Sequence, residues 1–109
     1  MATKITVWKD RANATSIQLL KNGTALTVEE MAAITKVGLI YKGTEYNSDD
    51  YPEAFDLSTE AATGSIVIKP GLLGWEVGQD NVEIVIYDAV NVEGIIWLQI
   101  KAKIQTTDV

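Results

Sequence analysis

Apolar and polar positions alternate with period two along much of the chain. Ile5 and Val7 interleave with Lys4 and Thr6, and Ile17 and Leu19 interleave with Ser16 and Gln18. Successive side chains of a strand point to opposite faces, so each run predicts a short strand with one buried face. Asp10 to Thr15 is a small, polar connection that a hairpin would satisfy, and Asn22-Gly23 supplies a turn after the second run. The pattern changes over Thr27-Val28-Glu29-Glu30-Met31-Ala32-Ala33, where Thr27 and Glu30 have the spacing of a capping box and good helix formers follow. One or two helical turns are expected there, provided that Met31 and Ile34 find a core to pack on; an irregular loop is the alternative.

Alternation returns at Val37, Leu39 and Tyr41, and Lys42-Gly43 opens a turn into Thr44-Glu45-Tyr46. The stretch from Asn47 to Glu53 has turn formers and acids without periodicity, and reads as a long exposed loop. Phe55 and Leu57 resume the pattern. Ile66 and Ile68 mark a strand that Pro70-Gly71 stops, and the leucines of Leu72-Leu73-Gly74-Trp75 are expected to plug one end of the core. Val82, Ile84 and Ile86, then Ile96, Leu98, Ile100, Ala102 and Ile104, predict two long antiparallel strands joined through Asp88 to Gly94.

About seven strands with short connections favour an all-β fold, an antiparallel β-sandwich with at most one short helix near residues 27–33, and an immunoglobulin-like arrangement is a candidate. A single domain over residues 1–109 is expected, with disordered ends at Met1 to Thr3 and Gln105 to Val109. There is no cysteine, so any such sandwich relies on apolar packing instead of a disulfide.

Composition narrows the chemistry. The absence of histidine and cysteine removes the serine triad, the cysteine dyad, thiol redox chemistry and the standard zinc sites. Fifteen acids against nine bases, a net charge of -6, disfavour a nucleic-acid partner. No signal peptide or membrane-spanning run is expected. The sequons at Asn13 and Asn22 are therefore discounted. No cofactor, metal or catalytic residue is assigned. Asp49, Asp50, Glu53 and Asp56 on the acidic loop, and Asp80, Asn81 and Asp88, are weak candidates for a hard cation such as calcium, against the commoner reading as solvated surface. A small carboxylate-based hydrolase is the least favoured activity, because so short a chain leaves little material for a cleft.

The aromatic residues raise binding hypotheses. By alternation Trp8, Tyr87 and Trp97, together with Val85 and Ile95, fall on the face opposite the aliphatic stripe. Such a face is covered either within the domain or by a neighbouring subunit. In the connection, Asp88 and Asn91 suit a turn, and Gly94 permits a backbone conformation closed to other residues. The expected interface is Tyr87, Asp88, Asn91, Gly94, Ile95 and Trp97. A carbohydrate- or surface-binding module is the alternative, with a glycan on Trp75 or Tyr51. Lys101 and Lys103 are expected to point outward and blunt an edge strand.

From Val85 to Trp97, with a strand ending in Tyr87-Asp88-Ala89 and returning through Gly94-Ile95-Ile96-Trp97, the chain resembles small tail- or head-associated structural proteins of phages and prophages. Thr35 to Tyr41 and Leu72 to Gly78 share the likeness, which covers roughly the C-terminal two thirds. The resemblance implies a non-enzymatic β-sandwich that binds copies of itself or other virion proteins, made in the host cytoplasm and then carried in the virion.

Overall fold

The alternating runs form strands in the computed structural model, which describes residues 3–11 and 14–106. In chain order these are β1 (Thr3–Trp8), β2 (Thr15–Gln18), β3 (Leu20–Lys21), β4 (Thr24–Ala25), α1 (Val28–Ala32), β5 (Ile34–Tyr41), β6 (Thr44–Asn47), β7 (Phe55–Asp56), β8 (Ser65–Ile68), β9 (Gly78–Asp88) and β10 (Ile95–Gln105). Single 3-10 turns at Pro52–Ala54, Ala61–Thr63 and Pro70–Leu73 fill the connections around β7 and β8. No helix among the described residues is long and apolar enough to cross a membrane.

One sheet has the order β1-β10-β9-β5-β6, a second has β2-β8-β7, and β3 with β4 forms a small hairpin. The chain is an all-β, sandwich-like fold. Its core is built from the residues that the period-two pattern selects. Ile5, Val7, Val37, Leu39, Val82, Ile84, Ile86, Ile100, Ala102 and Ile104 come from the first sheet, and Ile17, Ile66, Ile68 and Phe55 from the second. Apolar area removed from water in this way is the main stabilising term.

Local chemistry accounts for the joints. Thr27 Oγ1 accepts from the Glu30 N–H and the Glu30 carboxylate accepts from the Thr27 N–H, which closes both halves of the capping box and starts α1. Met31 is buried beneath that single turn. Asn22-Gly23 and Lys42-Gly43 place two consecutive residues at positive φ, the geometry of the tightest hairpin turns.

Several expectations are corrected. The segment after β1 is no hairpin, because β1 and β2 enter different sheets: β1 pairs with β10, in parallel, and β2 pairs with β8. The sandwich is therefore antiparallel except at one edge. Thr3 and Gln105, expected in disordered ends, lie in β1 and β10; the remainder of those ends, apart from Thr106, falls outside the described residues, as does Asn13 of the first sequon. Of the two leucines expected to plug the core, Leu73 is buried and Leu72 is exposed. Trp75 fills that end instead, stacked on Tyr41 at 4.4 Å and edge-on to Tyr46 at 5.9 Å, with Tyr51 packed on Tyr46 at 5.6 Å.

Candidate functional site

The six residues expected at an interface surround the turn between β9 and β10. Asp88 organises it: its Oδ1 accepts from the N–H of Asn91 at 2.6 Å, from the N–H of Val90 at 2.9 Å and from Asn91 Nδ2 at 3.2 Å. These donors, the Asn91 N–H foremost, hold the Asp88 carboxyl below the usual carboxylate range. The Asn91 carbonyl in turn accepts from the N–H groups of Gly94 and Asp88. Gly94 has φ of +82°, and a Cβ there would lie 2.7 Å from the Tyr87 ring. Only glycine meets both conditions without displacement.

Tyr87 is fixed from the other side. Its hydroxyl donates to Glu45 Oε1 at 2.6 Å, and Lys36 Nζ sits 4.3 Å from the ring centroid. The Glu45 side chain reaches Tyr87 across Gly38, where a Cβ would meet it at 2.9 Å. The hydrogen bond to a carboxylate acceptor, followed by burial and the negative charge, raises the Tyr87 pKa to about 12.

Trp97 departs from the alternation. The β9–β10 register places Ile96 opposite Val85 and Leu98 opposite Ile84, so Trp97 is the extra residue of a β-bulge. A bulge turns two consecutive side chains toward one face. Trp97 and Leu98 both pack against the core, and Trp97 Nε1 donates to the Leu20 carbonyl of β3 at 3.1 Å. Ile95, paired with the buried Ile86, shares this inner side. The expectation that Trp97 and Ile95 face outward with Tyr87 and Val85 is thus reversed, and Ile96, expected inside, is 58% exposed.

The structure sorts the six residues into two groups. Asp88, Asn91, Ile95 and Trp97 line one cleft of about 290 Å³ together with Lys21, Leu26, Glu30, Ala33, Ile34 and Ile86. Its floor is aliphatic and indole; its rim is ionic, with Lys21 Nζ 3.6 Å from Glu30 Oε2. The Glu30 carboxyl is lowered, first by the Thr27 backbone N–H and with a smaller contribution from Lys21. Tyr87 and Gly94 lie against each other outside the cleft.

Residues that the sequence reasoning passed over complete the surface. Val90 is 88% and Val92 74% exposed, and both flank Asn91 at the turn. With Ile95 and Ile96 they form a run of exposed aliphatic side chains within seven residues; Leu20, whose carbonyl accepts from the Trp97 indole, is also exposed. The available signal was the apolar character of Val90 and Val92 in an otherwise polar connection.

The other candidates do not assemble. Among the described residues no three carboxylates converge to hold a metal ion. Asp56 spends its carboxylate on Ser58 and Thr59, which hold it far below its ordinary pKa, Thr59 foremost. Asp80 and Asp88 stand toward opposite ends of β9, roughly 27 Å apart along an extended strand. Trp75 is only 2% exposed and offers no face to a sugar, and Tyr51 is half-buried. Lys101 and Lys103 guard no edge, since β1 lies outside β10 in the sheet. No known protein family matches the chain, and comparison with curated proteins gives no match.

Proposed function

We propose that this protein is a non-enzymatic assembly component that works through protein–protein contacts made by the β9–β10 hairpin end. The observation that carries this reading is the concentration of exposed aliphatic residues Val90, Val92, Ile95 and Ile96 on a turn that is otherwise tightly specified. Exposed apolar area gathered in one place, beside an apolar cleft with a charged rim, has the anatomy of an interface centre and its polar border. The turn is held by Asp88, Gly94 and Tyr87, so little ordering entropy is lost on contact.

The likeness of Val85 to Trp97 to phage tail- and head-associated proteins gives the setting: a phage or prophage particle, assembled in the host cytoplasm. The strand order supports an immunoglobulin-like reading of the sandwich. In that reading β2-β8-β7 and β10-β9-β5 are the two sheets of the sandwich, with β6 and β1 added at the two edges. Such sandwiches present their turns in clusters at the ends, where β9–β10 is found.

Solution mass across a concentration series tests the reading, with Val92→Asp and Ile96→Lys compared with the native chain. Both side chains are solvent-exposed, so these variants keep their melting temperature while a charge enters the contact. Loss of association with the fold intact supports the reading. Association equal to the native chain in both variants removes the hairpin from the interface.

A further inference from the structure

Two segments of this chain each carry charge of a single sign. Every charged residue between Lys42 and Lys69 is an acid, whereas every charged residue from Gly94 to Thr106 is a lysine. The fold carries these segments to opposite sides. β1 is one edge strand of the five-stranded sheet, with β10 beside it, and β6, with the loop that follows it, lies at the other edge, roughly 19 Å from β1 across four strand spacings. Among the described residues each edge strand pairs with one neighbour.

The lysine side has a property that the fold by itself does not explain. Lys4 and Lys101 are direct partners in the parallel β1–β10 ladder, and Lys103, two residues further along β10, shares their outer face. All three are exposed, while the alternating Ile5, Ala102 and Ile104 are buried. Like charges placed directly opposite each other on a sheet are destabilising. In a chain with an excess of acids, none of these lysines forms an ion pair among the described residues. Edge protection does not account for Lys101 and Lys103, because β10 is not an edge. Together with Ile5, Thr6 and Gln79 the three ammonium groups border a cleft of about 300 Å³.

On the other side, Asp49, Asp50 and Glu53 are exposed on the loop after β6. That loop has a fixed shape: Asn47 Oδ1 accepts from the N–H groups of both Asp49 and Asp50, and Tyr51 is packed on Tyr46. It presents carboxylates without a large ordering cost.

We propose that the lysine face of β1–β10 receives the Asp49–Glu53 loop of a second copy of this chain, so that copies join head to tail. This rests on the assembly reading above and adds its geometry. The contact is heterologous, with different surfaces on the two partners, and therefore builds a ring where the rotation closes and a filament where it does not. The apolar hairpin end then contributes a second surface, free to bind the next layer of an assembly.

Charge reversal tests it. One variant carries Lys4→Glu, Lys101→Glu and Lys103→Glu; the other carries Asp49→Lys, Asp50→Lys and Glu53→Lys. Mass is measured by light scattering at about 0.02 M and about 0.5 M salt, on either side of the range where exposed charges become screened. The native chain is expected to associate at low salt and to weaken at high salt. Each variant alone is expected to associate at least about tenfold more weakly, and an equimolar mixture of the two to regain association, since each supplies the sign the other lacks. Thermal melts confirm that the variants are folded.

Native-like association of either folded variant, or a mixture that stays dissociated, overturns the proposal. If the charge variants associate normally while Ile96→Lys does not, the assembly reading stands and the head-to-tail contact falls. A native chain that is monomeric at every concentration and both salt levels also overturns it.

Discussion

The two ends of β5 and β9 solve the problem of closing a sandwich in opposite ways. At one end Tyr41, Tyr46, Tyr51 and Trp75 form a contiguous aromatic cluster, and the Tyr41 hydroxyl both accepts from the Glu76 N–H and donates to its carbonyl. Trp75 is buried although its Nε1 finds no acceptor among the described residues, so packing outweighs one unmade hydrogen bond there. At the other end Trp97 is only half-buried, a cleft stays open beside it, and aliphatic side chains project into solvent. Aromatic residues mark the closed end, and aliphatic ones mark the exposed surface at the other. Residue type alone would suggest the reverse, since large aromatics are the commoner interface anchors.

That contrast can be broken most severely at Trp75. Trp75→Ala is expected to cost about 3–5 kcal/mol, the range for deleting a fully buried aromatic side chain, in a denaturant titration. Trp97→Ala should cost about 2 kcal/mol, because part of its surface is already exposed, although it also loses its bond to the Leu20 carbonyl. Equal losses at the two positions would mean that the hairpin end is as tightly packed as the aromatic end. Thr27→Ala removes one half of the capping box beside the cleft and should cost about 1 kcal/mol, read in the same titration.

Smaller effects sharpen the picture of the turn. Gly38→Ala pushes the Glu45 side chain away from Tyr87, so the Tyr87 phenol, native pKa about 12, should titrate closer to the ordinary value near 10. The ultraviolet absorbance of phenolate follows this directly, with Tyr87→Phe identifying the signal. Because the folded pKa is raised, the stability linked to this group is present below the unfolded pKa and is lost as pH rises between about 10 and about 12. The carboxylate of Asp88 has the opposite sign. Its folded pKa is depressed, so its contribution holds above the ordinary carboxylate value and fades as pH falls through the lowered one. Amide protection factors at Val90 and Asn91 are expected to fall in acid before those around Trp75 do.

Much of this is legible in the amino-acid sequence. The capping box at Thr27 and Glu30, the turns at Asn22-Gly23 and Lys42-Gly43, and the buried faces of β5, β9 and the second half of β10 follow from local rules that involve neighbours a few residues apart. The residues around the β9–β10 turn were legible as a cluster, since Asp88, Asn91 and Gly94 are turn chemistry. Their division into cleft and outer face was not. A one-residue bulge at Trp97 inverts every facing beyond it toward Ile95, and nothing in the alternation of that strand announces it.

The sequence by itself determined which segments are strands, where they turn, and that the core is aliphatic, because side-chain period and turn geometry are properties of a few consecutive residues. It also determined that the charges between Lys42 and Lys69 are all acids and those of the last strand all lysines. The tertiary structure alone decided that β1 lies parallel to β10, that Lys4 stands opposite Lys101, that Trp75 is inside, and that Ile96 is outside. Those outcomes depend on which distant segments pair and in what register, and pairing energy is shared between partners that one strand's pattern does not name.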